Sequence, residues 1–332
     1  MQKDNVQGIW IFAEQEKGAL HPAVFELLAK AQELKAHNGE AITAVLLGDQ
    51  VEALAPALIA AGADGVLLAE EENLAAYSAR PYQQALTQLA EKYCPSILLY
   101  PATPMGRDLA PRMMVSLHTG LTADAIDLGF DEDGVFYQTT PGYGGSILAH
   151  IVILEKRPQM ATVRTGLFAP LQPDPQRTGE IRRESVSVEL DDSYELLGCE
   201  PKVVSGVPID KAEILVSGGR GIKDEAELAL LRELADAMGA EIASSRPLVD
   251  GGLLPHSKQI GQSGATVKPK LIVNVAISGS VQYQIGMNGA ACIVSINKAA
   301  GSPIFDISHY GAVADFKSLV PAMTAEIKKR KA

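Results

Sequence analysis

PHSKQIGQSGATVKPKLIVNVAISGSVQYQIGMNGAACIVSINK, residues Pro255 to Lys298, contains two apolar runs of strand length, each closed by polar residues. The first, Leu271 to Ile277, does not alternate, is broken only by Asn274, and stops at Ser278-Gly279-Ser280 before a helix-like segment. The second, Cys292 to Ile296, ends in Asn297-Lys298. Unalternated apolar runs of this length are how parallel strands buried on both faces read. A strand that turns at Ser-Gly-Ser into a helix leaves backbone N–H groups facing the turn, where they favour an anion. Two such strand ends side by side are where open α/β sheets bind ligands. The pattern alone therefore offers two readings: an anion or nucleotide site, or an ordinary crossover with glycine placed for packing.

The flanks extend the same alternation. Glu213 to Val216 reads as a buried strand and runs into Ser217-Gly218-Gly219-Arg220-Gly221. Asp224 with Glu227 forms a helix-capping pattern. Leu231, Leu234, Ala235 and Met238 make that helix's apolar face, and Gly239 stops it. A short strand, Glu241 to Ala243, delivers Ser244-Ser245-Arg246, and an amphipathic helix over Phe316–Lys329 covers the sheet. The basic residues Lys328 to Lys331 suit a solvated helix C-terminus.

Towards the N-terminus, Ile9–Ala13, Ile42–Leu47, Gly65–Ala69 and Ser96–Tyr100 read as strands. Between them helices are expected from His21-Pro22 to Asn38-Gly39, over Val51–Ala61, and through Tyr82–Lys92. Repeated βα units with apolar strands imply a parallel sheet covered on both faces. After Tyr100 the texture changes to glycine clusters with arginines, including PGYGG at 141–145. Arg107, Arg112 and Arg164 are expected to pair with carboxylates. Residues 170–210 hold several prolines, mixed charges and the Leu-rich segment Tyr194 to Leu197, and Val203 to Val207 with Pro208 reads as a connector. Two domains follow, 1–203 and 204–332, and a single short linker would leave the second free to swivel.

The chain has 332 residues, 47% of them hydrophobic and 21% charged, which describes a folded globular protein with room for two domains. A formal net charge of -11 argues against a nucleic-acid partner. No apolar segment approaches the ~20 residues of a membrane span, and MQKDNVQGIW lacks a signal-peptide pattern, so a cytoplasmic location is expected. Cys94, Cys199 and Cys292 are too far apart in sequence for a metal cluster and read as lone buried thiols. No metal site is expected.

Five segments, in order within about ninety residues, resemble the flavin-binding domain of the electron transfer flavoprotein alpha subunit. They are Ser245-Arg246, the Q-[IV]-G-Q-[ST]-G turn at Gln259–Gly264, I-S-G-[AS]-[IV]-Q at Ile277–Gln282, I-N-K at Ile296–Lys298, and His309-Tyr310-Gly311 followed by Asp315. Segments at 106–112, 117–125 and 157–164 resemble that family's first domain. The resemblance implies an α/β protein of two domains, each a mostly parallel sheet flanked by helices. The N-terminal body would be Rossmann-like and the C-terminal domain flavodoxin-like.

It also implies one FAD in this chain, with a beta-subunit partner holding a second FAD or AMP, and an acyl-CoA dehydrogenase or similar flavoenzyme as redox partner. Arg220 and Ser245 would face the pyrophosphate or adenosine half. Ser278, Gly279, Ser280 and Val281 would hold the pyrophosphate, with Gln282 and Tyr283 just inside the helix. Asn297, Asp315 and Phe316 would close on the adenosine. Ile260, Gly261, Gln262 and Ser263 form the turn that meets the ring, with the Ser263 hydroxyl near N5. Arg246, a permanent cation, would tune the flavin's potential. Three departures from the family pattern stand out. Tyr283 replaces a common histidine and has one neutral hydrogen bond to give. Pro247-Leu248 replaces two small residues, and Ser263 stands where threonine is common.

Nothing in the sequence pairs a nucleophile with a base, which fits a carrier whose cofactor supplies the chemistry. Three readings follow. One is an alpha subunit serving acyl-CoA dehydrogenases, with NADH-driven bifurcation if the beta subunit carries a second FAD. Another is a relative supplying carnitine-linked reduction or nitrogenase. The third is a non-redox adenine-nucleotide-binding regulator.

Overall fold

The computed structural model describes residues 6–142, 147–190, 197–198 and 207–331. Contacts divide the chain into two compact units, Met1–Leu197 and Gly198–Ala332. The boundary expected near 203, Cys199, most of the Tyr194–Leu197 segment and most of PGYGG lie outside the described residues.

In chain order the first unit runs β1 (Ile9–Phe12), the short hairpin β2 (Gln15–Glu16) and β3 (Ala19–Leu20), α1 (Pro22–Asn38), β4 (Ile42–Gly48), α2 (Ala55–Ala60), β5 (Gly65–Glu70), α3 (Ala79–Tyr93), β6 (Ile97–Pro101) and α4 (Pro104–Ser116). It continues through β7 (Leu121–Ala125), β8 (Asp127–Phe130), β9 (Phe136–Gly142), β10 (Ile147–Val152), β11 (Gln159–Val163) and β12 (Glu180–Arg183). Seven strands form one parallel sheet in the order β12-β5-β4-β1-β6-β11-β7. The reversal of order between β1 and β6 is the Rossmann-like arrangement. Successive residues of β1 point to opposite faces: Ile9 and Ile11 pack with α1 and α2, Trp10 and Phe12 with α3 and α4.

The local signals account for the helix ends. His21 caps α1 through its ring nitrogen, which accepts from the Ala23 N–H at 3.2 Å, and Gly39 closes it at φ 73°. The segment 51–61 is less regular than its periodicity predicts: a 3-10 turn, Glu52–Leu54, precedes the six-residue α2, with Pro56 in its first turn. The antiparallel sheet β10-β9-β8 has no counterpart in the sequence reading. The strand β10 is exposed along almost its whole length although five of its six residues are apolar. The three arginines pair as expected. Arg107 and Arg164 both reach Asp124 and Arg112 reaches Asp108.

The second unit contains β13 (Ile214–Gly218), α5 (Glu225–Met238), β14 (Glu241–Ser244), α6 (Arg246–Asp250), β15 (Leu271–Val275), α7 (Val281–Ile285), β16 (Ile293–Asn297), β17 (Tyr310–Val313) and α8 (Phe316–Lys331). Its five parallel strands lie in the order β14-β13-β15-β16-β17, which is the flavodoxin-like order. One face is covered by the long helices α5 and α8 through Leu228, Leu231, Leu234 and Val320. The other is covered differently. Ile260, Val267, Tyr283, Met287 and Ile304 pack there from turns and one-turn helices. Loop-rich cover of this kind leaves clefts between its segments.

No helix is long and apolar enough to cross a membrane, and no metal-binding cluster occurs among the described residues. Cys94 and Cys292 are free but only half-buried, not the buried thiols expected, because each sits at the edge of an element rather than within it.

Candidate functional site

The carboxyl ends of β13 and β15 meet where the strand order of the second sheet reverses. The turn after β13 crosses to its neighbour, with the Gly219 N–H donating to the Val275 carbonyl at 2.9 Å. Ala276, one residue past β15, takes the left-handed conformation at φ 55°. That conformation turns the chain sharply and leads it into Ile277-Ser278-Gly279. Gly279 has φ 83°, and a Cβ there would lie 2.3 Å from the Ile304 nitrogen. Only glycine satisfies both conditions. Ser280 then stands at the N-cap of α7, its side chain making no cap hydrogen bond.

The Gln259–Gly264 turn rests directly on α7. The Gln262 N–H donates to the Gln282 carbonyl at 2.8 Å, and the Gln259 side chain donates to the Ser263 hydroxyl at 3.0 Å. Ser245 enters from β14, its N–H bonded to the Gly218 carbonyl.

Two cavities open here. One of about 290 Å³ is lined by Arg220, Ser245, Arg246, Ile260, Gly261, Gln262, Ser263, Ser278, Ser280, Gln282 and Tyr283, together with Pro247, Gln259 and Ile277. The other, of about 460 Å³, is lined by Arg220, Ser278, Asn297, Asp315 and Phe316, together with Gly221, Lys223, Glu227, Ala276, Ile296, Lys298, Ala299, Ser302, Ala314 and Lys317. Arg220 and Ser278 belong to both and join them at the end of the sheet. Of the residues singled out in the sequence, Gly279 and Val281 line neither cavity. Gly279 is packed against Ile304, and Val281 lies half exposed on the outside of α7.

The larger cavity also contains cations to which sequence reasoning gave no role, although Lys298 lies in the I-N-K motif. Lys223, Lys298 and Lys317 bring cations to it, and the N-termini of α5 and α8 flank it. Glu227 partly answers them. It accepts from Lys317 Nζ at 2.6 Å and from the Lys223 N–H at 2.7 Å, and the Lys317 ammonium is raised above its ordinary pKa by that carboxylate. Asp224 accepts from the Glu227 N–H, so the predicted cap is present and its glutamate also serves the cavity. The lysines were legible only as loop and helix-start residues, since they are spread over 95 positions of sequence from Lys223 to Lys317.

Two of the lining side chains also bond within the protein. Asn297 donates to the Ile277 carbonyl at 2.8 Å and accepts from the Ala299 N–H at 2.9 Å, so its amide ties two loops together. Tyr283 is 3% exposed, and its hydroxyl lies 2.7 Å from Asn274 Oδ1 and 2.8 Å from Ser217 Oγ. Its single hydrogen bond is therefore used inside the protein, and burial raises its pKa well above that of an ordinary tyrosine. Arg246, by contrast, is two-thirds exposed and paired with Asp250 at 3.1 Å on the same helical turn.

Paired cavities sharing a serine and an arginine, backbone close enough to exclude any Cβ, and the cations of Arg220, Lys223 and Lys298 suit an elongated, anionic ligand with two apolar ends. A dinucleotide such as FAD has that form.

The chain matches the family described as "Electron transfer flavoprotein domain" over residues 9–189 and "Electron transfer flavoprotein FAD-binding domain" over 208–288. It is 40% identical to "Electron transfer flavoprotein subunit alpha" of Thermoanaerobacterium thermosaccharolyticum, over 99% of this chain and 100% of that protein. It is 39% identical to "Protein FixB" of Rhizobium meliloti, over 99% and 95%. It is 36% identical to "Lactate dehydrogenase (NAD(+),ferredoxin) subunit LctC" of Acetobacterium woodii, over 99% and 78%.

Proposed function

This chain belongs to the electron transfer flavoprotein alpha-subunit family, and from that premise we propose that its second unit holds one FAD and exchanges electrons with docked redox proteins, in a heterodimer with a beta subunit. The observation that carries the reading is the meeting of two cavities at the switch point of a flavodoxin-like sheet, with Arg220 and Ser278 between them. When bound, the flavin supplies the redox chemistry.

The chain's own residues orient and tune it. The Ser278–Ser280 turn and Arg220 take the phosphates where the cavities join. Lys223, Lys298, Asp315 and Phe316 enclose the adenosine end. The Gln262–Ser263 turn and Arg246 would border the ring end, where the Ser263 hydroxyl would offer the ring a hydrogen bond. The Arg246 guanidinium favours forms of the ring that carry added negative charge.

The redox partner is of the acyl-CoA dehydrogenase type. A second reading, favoured by the likeness to a subunit named for NAD(+) and ferredoxin, is that electrons from NADH are bifurcated through a second FAD in the beta subunit. Full reduction of the heterodimer by NADH with two flavins per dimer supports this version, and one flavin per dimer excludes it. The visible absorption spectrum tests the core proposal. A yellow protein with flavin bands is expected, and a colourless one that takes up no added FAD overturns it.

A further inference from the structure

Beneath the smaller cavity the interior of the sheet is polar. Ser217, Asn274 and Ser295 are register neighbours on β13, β15 and β16, and all three are 1% exposed or less. They lie on the face that Tyr283 covers, where the flanking strand residues Leu215, Ile272 and Ile293 are apolar. A polar row at that depth is costly unless every group finds a partner.

The partners form a circuit. The amide oxygen of Asn274 can only accept, so it takes the Tyr283 hydroxyl proton at 2.7 Å, and the Ser217 hydroxyl at 2.8 Å then donates to Tyr283. Asn274 Nδ2 donates to Ser295 Oγ at 3.3 Å, and Ser295 and Ser308 hydroxyls are 2.7 Å apart. The Ser308 hydroxyl also lies 2.7 Å from the Ile304 carbonyl, while the Ile304 N–H donates to the Ser278 carbonyl at 3.1 Å. The chain from Ser278 to Tyr283 closes the ring.

We propose that this ring is a positioning device, with Tyr283 and Ser308 as its two anchors. Tyr283 fixes the α7 end of the phosphate-facing turn from below the sheet face. Ser308 fixes the other end through Ile304, whose backbone lies against Gly279. Neither anchor depends on a ligand, so the turn is set before anything binds. Pre-set backbone donors bind more tightly because no ordering cost falls on the binding step. The tyrosine that replaces the family's common histidine thus acts through the turn, from behind it. The assignment rests on the flavin reading above.

Ser308 lines neither cavity, which makes it the informative position. Ser308→Ala, Tyr283→Phe, their double variant and Ser308→Thr are to be made in the heterodimer. Amide exchange is followed at Ile304, Tyr283 and Gln284 in the flavin-free protein, and FAD is titrated back by quenching of its fluorescence. Faster exchange at all three amides and roughly tenfold weaker FAD binding are expected for each single loss. The double variant should be little worse than either single, because one break opens the ring. Ser308→Thr, which keeps the hydroxyl, should restore both readouts. Exchange that rises only at Ile304 in Ser308→Ala, or FAD affinity unchanged beside a lowered melting temperature, overturns the proposal. Absence of FAD binding in the unsubstituted protein sinks the flavin reading instead, and the exchange data then judge the ring alone.

Discussion

Gly286 and Gly261 face each other so closely that a Cβ built on Gly286 would lie 2.4 Å from the Gly261 nitrogen and 2.6 Å from its Cα. This contact seats the Gln259–Gly264 turn on the end of α7, and it is backbone against backbone, with no flexible side chain to yield. Gly286→Ala is expected to cost about 1–3 kcal/mol and to displace the turn bordering the smaller cavity. Flavin content after purification should fall with it. Gly301→Ala, where a Cβ meets open space, should change stability by less than ~0.5 kcal/mol and leave flavin content intact. Thermal melts and the ratio of visible to ultraviolet absorbance check both.

Arg246 and Asp250 form a pair whose members should shift the flavin potential in opposite directions. Removing the guanidinium in Arg246→Ala lowers the midpoint, and removing the carboxylate in Asp250→Asn raises it. Two unit charges about 4 Å apart at an effective dielectric near 20 interact by ~4 kcal/mol. At ~1.4 kcal/mol and about 59 mV per tenfold, that sets a ceiling of roughly 180 mV. Arg246 is two-thirds exposed, so screening reduces the expected shift to tens of mV, on the order of a third of the ceiling or less. Equal midpoints in redox titrations of all three proteins would remove the tuning role.

Glu14 is 7% exposed at the end of β1, and burial pushes its carboxyl above the ordinary value of 4.5 despite a hydrogen bond from Thr103. A folded state that holds its proton more tightly than the unfolded chain loses stability as pH rises from about 4.5 through the raised value. Glu14→Gln keeps a hydrogen-bond acceptor and removes that penalty. Its melting temperature should exceed that of the parent at pH 7 to 8, with the gain vanishing below pH ~4.5. A lower melting temperature at neutral pH would show that the charge itself is needed.

Asp64 behaves in the reverse sense. Burial alone would raise its pKa, but the Ile42 N–H, Lys35 and Arg177 outweigh it and hold the carboxyl below 3.8. Its contribution is present above the unfolded value of 3.8 and is lost as pH falls through the depressed folded value. Asp64→Asn should cost about 1–3 kcal/mol at pH 7, the worth of hydrogen bonds to a charged group. The gap from the parent should narrow in acid-denaturation curves only below pH ~3.8.

The sequence by itself determined the buried parallel strands at the centre of each sheet. Ile9–Phe12, Ile42–Gly48, Ile214–Gly218 and Leu271–Val275 are legible because burial on both faces demands unbroken apolar residues. It also placed the caps at His21 and Asp224 and the glycine at position 279, since local backbone conformation restricts which residues fit. What only the tertiary structure decided is which distant polar residues come together. Lys223, Lys298 and Lys317 line one cavity from three separate segments, and Asn274, which merely interrupts an apolar run in the sequence, is the hub of a buried ring. Hydrogen bonds between strands depend on register and on the order of strands in the sheet. Those are fixed by packing across the whole domain, so no local pattern of residues encodes them.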